Sequence, residues 1–207
     1  MARETSTSIV TVSLNTAIDR VMEVPNLQIG GHVRGRLVSV QPAGKAVNVA
    51  RLLGILGRPC VLTGFVGRGD RERFKRSLAK SPARVEMFEG REPTRENITL
   101  VDPEQGVDTH IRDEGFAPSE DDVARLVKKL RILATPGATV AFAGSLPPGM
   151  DADGFADLVA VNKFDLIEGV ATLEYSDYVY DTLPNLQFAP VICISALRGH
   201  MVFGMLD

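Results

Sequence analysis

Residues 40–57 read VQPAGKAVNVARLLGILG and combine a short loop with a helix. The loop PAGK consists of small and turn-forming residues. The segment after it carries apolar residues at spacings that predict a buried or half-buried helix: Val47, Ala50, Leu52, Leu53, Ile55 and Leu56. Gly57 follows the last of these and predicts the end of the helix. A loop therefore leads directly into a helix N-terminus.

Strands and helices alternate on either side of this stretch. Residues 8–14, SIVTVSL, are short and rich in β-branched side chains, which predicts a central strand. The polar residues that follow place Asp19 just beyond the end of that strand. Residues 60–67 predict a second strand, and residues 70–80 predict an amphipathic helix. This order predicts an α/β fold in which helices flank a parallel sheet.

Two segments interrupt the alternation and predict a small β flap, residues 20–40 and 94–113. Ser119, followed three residues later by Asp122, has the pattern of a capping box and predicts a helix start. Residues 138–149, ATVAFAGSLPPG, predict a strand that ends in a Gly/Pro loop. Ligands of open α/β sheets bind in loops of this kind.

Composition excludes several classes of protein. A net charge of −3 gives no basic field that would bind nucleic acid. No segment approaches the roughly 18 apolar residues of a membrane span, and the N-terminus lacks the apolar stretch of a secretory signal, so we expect a cytoplasmic protein.

Cys60 and Cys193 lie in apolar runs and are expected to be buried and reduced. The scattered histidines predict no metal site.

Residue types suited to a phosphorylated sugar occur along the first three quarters of the chain. Carboxylates and amides bind hydroxyls, whereas loop N–H groups and arginines bind phosphate. Asp19 follows a strand, Gly44 precedes a helix, Arg34 lies on the flap, and Arg95 lies in the extended segment TRENIT. Each taken alone is more simply a turn residue or a solvated charge. Only their combination indicates a binding site.

Five motifs together resemble the phosphofructokinase B group of the ribokinase-like superfamily, and most closely 1-phosphofructokinases and tagatose-6-phosphate kinases. They are residues 11–34, 40–57, 63–70, 94–103 and 142–150. The resemblance implies a ribokinase-like fold for residues 1–156, a phosphorylated ketohexose as ligand, and ATP and Mg²⁺ as cofactors. It leaves a homodimer open.

The resemblance also implies a substrate site of seven residues: Asp19, Arg34, Gly44, Lys45, Asn48, Arg95 and Ser145. By this resemblance Asp19 and Asn48 hold sugar hydroxyls. Arg34 and Arg95 bind the substrate's phosphate, and Ser145 lies in the loop near it.

The substrate loop departs from the family pattern. The family has Gly-Gly-Lys-Gly where this chain has Ala43, Gly44, Lys45 and Ala46. If either alanine position needs a positive φ, the added Cβ costs roughly 1 kcal/mol and narrows the pocket. We therefore expect weakened ligand affinity.

The catalytic aspartate of the family lies in a Gly-Ala-Gly-Asp loop, and this sequence contains none. The nearest string ends at Asp70, which we interpret as a helix cap. No residue is therefore assigned as catalytic, and a polypeptide of these residues is expected to be catalytically incomplete. A non-catalytic sugar-phosphate binder from a chimeric gene is one alternative.

Residues 157–207 differ in composition and resemble the last two guanine-recognition motifs of GTPases of the Der type. By this resemblance the nucleotide-binding residues are Asn162, Lys163, Asp165, Ser195 and Ala196. The phosphate loop of those GTPases is absent, so GTP or GDP binding is expected to be weak. The alternative that we favour is a short α/β tail whose apolar runs add strands to a parallel sheet.

Overall fold

A computed structural model of the chain describes residues 8–135 and 138–151. The chain divides into two units, Met1–Gly149 and Met150–Asp207, and the described helices and strands lie in the first. The tail and its five candidate guanine-contacting residues lie outside the described residues. The boundary at residue 157 and the GTPase-like tail therefore stay predictions.

The described residues form eight strands and three helices. In chain order these are β1 Ile9–Ser13, β2 Ala17–Glu23, β3 Arg36–Ala43, α1 Lys45–Ile55, β4 Cys60–Val66, α2 Arg71–Ser77, β5 Ala83–Glu89, β6 Arg95–Asp102, β7 Val107–Ile111, α3 Glu120–Leu133 and β8 Thr139–Phe142. The main sheet has the order β5-β4-β1-β8 and is parallel throughout. The flap sheet has the order β3-β2-β6-β7. The predicted α/β fold is confirmed.

The main sheet is buried because its central strands carry apolar or small residues on both faces. Every residue of β4 is buried, as is typical of a parallel strand covered by helices on both sides. Phe74 of α2 is fully buried in the same core as Val47 of α1. Cys60 is a buried free thiol, as predicted, and burial raises its pKa. Cys193 lies outside the described residues.

Helix α1 begins and ends where the sequence predicts. Gly57 has a φ of +67°, and the N–H of the next residue, Arg58, donates to the Leu53 carbonyl at 2.8 Å. This arrangement satisfies carbonyls that the helix end would otherwise leave free. The predicted burial is wrong for three apolar side chains, which are more than half exposed: Leu52, Ile55 and Leu56.

The two predicted caps differ in outcome. The Ser119 side chain accepts from the Asp122 N–H, and the Asp122 carboxylate accepts from the Ser119 N–H, so the capping box of α3 is confirmed. Asp70 occupies the N-cap position of α2, but its side chain makes no capping hydrogen bond. It lies instead 3.8 Å from the guanidinium of Arg73.

At one end of the flap sheet, the Asp102 carboxylate joins the segment after β2 to the turn after β6. Strand β2 pairs antiparallel with β3 and parallel with β6, and β7 pairs antiparallel with β6. The buried Asp102 carboxylate accepts four backbone N–H groups: those of Asn26, Leu27, Glu104 and Gln105. Burial alone would raise the pKa of Asp102, but these donors outweigh it and the pKa is lowered.

Gly64 is required where β1 and β4 touch. It has a φ of +120°, and a Cβ at this position would lie 1.9 Å from the Ser13 carbonyl oxygen. We expect Gly64→Ala to lower the free energy of unfolding by about 3 kcal/mol or more, since it adds a backbone clash to unfavourable dihedrals. Gly106→Ala is the control, because its φ is +67° but no atom lies within 4 Å of the added carbon. Urea denaturation measures both, and equal losses would contradict the role of close packing.

Asp102 predicts a pH dependence of stability. Its folded pKa is lowered, so its ionised form stabilises the fold above the unfolded pKa, and this stabilisation is lost as pH falls through the folded pKa. Asp102→Asn should therefore reduce the free energy of unfolding at neutral pH. The difference between wild type and variant should shrink in acid. A constant difference across the acid range, measured by denaturation at each pH, would show that the contribution is not ionic.

Candidate functional site

A cavity of about 490 Å³ opens at the carboxyl ends of the main-sheet strands, beside the inner face of the flap sheet. It is lined by Asn15, Ala17, Asp19, Gly44, Lys45, Asn48, Arg95, Asn97, Ile98, Thr99, His110, Ile111, Arg112, Gly144 and Ser145. Asn15 follows β1 and Ser145 follows β8, as expected for loops at the carboxyl edge of a parallel sheet.

Six of the seven predicted substrate residues line this cavity: Asp19, Gly44, Lys45, Asn48, Arg95 and Ser145. The seventh, Arg34, is exposed in the segment before β3 and does not line it. The sequence interpretation missed five other polar residues of the lining: Asn15, Asn97, Thr99, His110 and Arg112.

Asp19 lies inside strand β2, as its third residue, and not beyond a strand end as predicted. Its register partner in β6 is Asn97, whose side-chain nitrogen donates to Asp19 Oδ1 at 2.9 Å. A carboxylate only accepts hydrogen bonds, so the amide must turn its nitrogen toward Asp19. No described residue donates to Asp19 Oδ2, which leaves that oxygen available for a ligand hydroxyl.

Arg95 is held by acceptors on three loops. Its guanidinium donates to the carbonyls of Thr16, Asn15 and Asp113 at 3.2, 3.0 and 2.9 Å. A longer contact of 3.4 Å joins it to Ser145 Oγ. Burial lowers the pKa of Arg95, although the nearby carboxylates of Asp113 and Asp19 oppose this. The side chain is thus an anchor at the cavity wall.

Asn15 completes the same cluster. Its side-chain nitrogen donates to the Glu114 carbonyl at 2.9 Å and to the Leu146 carbonyl at 3.1 Å. It also contacts Ser145 Oγ at 3.4 Å. Asn15 and Arg95 therefore join the ends of β1 and β8 to the segment that follows β7. We call these two residues and their acceptors the Asn15–Arg95 cluster.

The substrate loop is not strained by its alanines. Gly44 has a φ of +132° and a ψ of 148°, a conformation that is essentially restricted to glycine. Among the described non-glycine residues only Asn26 has a positive φ, so Ala43 and Ala46 do not carry the expected cost. Ala46 is fully buried, and its N–H donates to the Ala143 carbonyl at 3.3 Å.

The first turn of α1 presents polar groups to the cavity. The Lys45 ammonium makes no hydrogen bond or ion pair to any described residue. Asn48 Oδ1 accepts from Arg51 at 2.6 Å, so the amide nitrogen of Asn48 remains free to donate. The helix starts without a side-chain cap and without an acidic residue in its first turn. The protein therefore leaves the positive end of the helix dipole uncompensated.

The charge of the lining favours an anion that also carries hydroxyls. Lys45, Arg95 and Arg112 are cationic, and Asp19 is the sole carboxylate among the lining residues. The His110 ring lies between Thr99 Oγ1 at 3.0 Å and the Asp108 carboxylate at 2.8 Å.

Within residues 8–135 and 138–151, no group of three or more His, Cys, Asp or Glu residues could hold a metal ion. No described helix is long and apolar enough to cross a membrane.

The model of the pfkB family of carbohydrate kinases matches residues 6–187 of this chain. A 1-phosphofructokinase from Rhodobacter capsulatus is 32% identical over 156 residues, which cover 75% of this chain and 49% of that protein. The chain thus spans about half the length of the curated relatives it matches.

Two solved structures of phosphofructokinases also resemble this chain. The tetrameric inhibited form of phosphofructokinase-2 from Escherichia coli aligns with a TM-score of 0.67 at 25% identity, over 74% of this chain and 50% of that chain. A possible 1-phosphofructokinase from Thermotoga maritima aligns with a TM-score of 0.64 at 25% identity, over 94% of this chain and 62% of that chain. The ribokinase-like fold expected from the sequence is confirmed.

Proposed function

The chain belongs to the pfkB family of carbohydrate kinases, and we propose that its cavity binds a phosphorylated ketohexose, the sugar substrate of a 1-phosphofructokinase-like kinase. The observation that carries this proposal is the convergence of six predicted substrate residues on one cavity. Those residues come from three regions of the chain: the flap strands β2 and β6, the start of α1, and the loop after β8. Their side chains match the two chemistries of the ligand, its hydroxyls and its phosphate.

The hydroxyls of the sugar are assigned to Asp19 and Asn48. Asp19 Oδ2 accepts from one hydroxyl, while Asn97 holds the other oxygen in place. The free amide nitrogen of Asn48 donates to another hydroxyl. Gly44 lets the backbone approach the ligand without a side chain in the way.

Phosphoryl transfer from ATP is the reaction of the kinase family, and we propose it for the whole protein to which this site belongs. Among the described residues no group of three or more His, Cys, Asp or Glu side chains could hold a metal ion, so we assign none of them to Mg²⁺. We also propose a cytoplasmic location, because a phosphorylated sugar does not cross a bilayer unaided.

The guanine-nucleotide alternative for residues 157–207 is not supported by the comparisons, and the family match continues to residue 187.

We further propose that the outer face of the flap sheet binds a second copy of the chain. The register places Leu37 beside Met22 on the face opposite Asp19. Leu37 is 48% exposed. An apolar sheet face needs a cover, and the Escherichia coli phosphofructokinase-2 structure that resembles this chain is described as tetrameric.

Ligand binding tests the proposed site. We expect fructose 6-phosphate or fructose 1-phosphate to bind the wild-type chain more tightly than fructose. Asp19→Asn should weaken sugar-phosphate binding by about tenfold to a hundredfold, since hydrogen bonds to charged groups contribute roughly 1.5–3 kcal/mol. Asp121→Asn, which removes an exposed carboxylate of α3 that lies outside this cavity, is the control. Isothermal titration calorimetry that finds no phosphate preference in a folded protein would refute the proposal.

Self-association is tested separately by light scattering after size-exclusion chromatography. Leu37→Glu places a charge on the outer face of the flap sheet and should convert dimers to monomers. Leu52→Glu alters a side chain of α1 that is 56% exposed and should leave the mass unchanged. A monomeric wild type at micromolar concentration, or equal effects of the two variants, would contradict this interface.

A further inference from the structure

The outer edge of strand β5 has no partner strand among the described residues. β5 lies at one end of the main sheet and pairs only with β4. The Glu86 carbonyl accepts from a threonine of β4 at 2.8 Å, and the Gly90 N–H donates to the last carbonyl of β4 at 2.8 Å. Since backbone groups alternate in direction along a strand, the N–H and C=O groups of Val85, Met87 and Glu89 point outward. No described residue bonds to these outward groups.

Two cavities follow this edge. The smaller, about 410 Å³, straddles it, because the lining includes Met87 from one face of the strand and Phe88 from the other. The larger, about 540 Å³, continues past Glu89 and Arg91 to the first turns of α3. Glu89 and Arg125 line both cavities. A strand added to β5 would therefore enter open space.

The two faces of β5 differ in chemistry. On the face that packs against α3, Arg125 lies over the Phe88 ring, 5.7 Å from its centre. From the same helix, Lys129 lines the smaller cavity and Lys128 lines the larger. On the opposite face, Met87 is buried in the apolar core that includes α2. Successive side chains of an added strand would point alternately toward these cations and toward the apolar side.

The walls of the two cavities carry five cations and four carboxylates. Three of the carboxylates already have partners: Glu86 pairs with Lys129, Glu89 with Arg71, and Asp122 with Arg125. Arg91, Lys128 and Asp121 are exposed and make no hydrogen bond or ion pair to any described residue. The surplus is positive, so the edge repels a second copy of itself and attracts an acidic segment.

We propose that the outer edge of β5 binds an extended segment of a partner protein in which acidic side chains alternate with β-branched ones. The main chain of this segment bonds to Val85, Met87 and Glu89, and this strand pairing supplies the affinity. Its acidic side chains face the cations of α3, and its β-branched side chains face the α2 side. No residue lines both this surface and the sugar cavity, so the proposal does not depend on the proposed function.

The first test uses fluorescence anisotropy on the full chain. The probe is a labelled synthetic heptapeptide in which glutamate alternates with valine or threonine. It should bind, whereas the same peptide with lysine in place of glutamate should not. Arg91→Glu and Lys128→Glu should each weaken binding by about fivefold or more, because repulsion replaces attraction. Arg58→Glu is the matched control, since Arg58 is exposed and lines neither cavity.

The second test distinguishes strand pairing from a purely electrostatic contact. Only alternate N–H groups of an added strand can face β5. Peptides N-methylated at the valines only, or at the glutamates only, should therefore differ, one losing binding and the other keeping it. In an antiparallel strand the residues opposite Met87 lie on its face, so the valine-methylated peptide should fail. In a parallel strand the glutamate-methylated peptide should fail instead.

Three results would overturn the proposal. The first is no binding of the glutamate peptide at millimolar concentration by a folded chain. The second is equal binding of the two methylated peptides, which would show that no strand forms. The third is equal behaviour of Arg91→Glu and Arg58→Glu toward the glutamate peptide. Light scattering without peptide covers the other occupant, since a mass that changes in Arg91→Glu would assign the edge to a second copy of the chain and reject the acidic partner.

Discussion

The Asn15–Arg95 cluster is the interaction on which the site depends. The chain first passes from the main sheet to the flap sheet through Leu14, Asn15 and Thr16, between β1 and β2. Arg95 opens β6 and donates back to the carbonyls of Asn15 and Thr16. Its bond to Asp113 fixes the segment after β7, while Asn15 fixes the loop after β8. One cluster therefore sets where each wall of the cavity stands.

Two glycines allow the close backbone contacts that these hydrogen bonds need. Gly115 follows the segment that Arg95 holds, and a Cβ there would lie 2.5 Å from Asn15 Oδ1. At Gly64 an added Cβ would meet the Ser13 carbonyl at 1.9 Å, in the strand that delivers Asn15. The absence of a side chain at these two glycines thus lets β1 approach β4, and lets the loop after β7 approach Asn15, closely enough for the polar bonds of the cluster to form.

Local patterns predicted the elements that local physics controls. Strand β1 and the capped start of α3 were found because burial and capping act over a few residues. Strand β5 was missed because the alternation of Ala83, Val85 and Met87 with polar residues fails at Phe88 and Glu89. Spacing alone also overestimated the burial of the end of α1, because periodicity does not reveal which apolar face finds a partner.

The sequence predicted residues of the cavity lining only where they lie in a recognisable motif. Asn97 and Arg112 reach the cavity through the pairing of β2 with β6 and of β6 with β7, and such long-range register leaves no local signal in the sequence. Arg95 and Arg112 have the same charge, but Arg95 donates to three backbone carbonyls whereas Arg112 makes no hydrogen bond or ion pair to any described residue, and only the folded structure shows this difference.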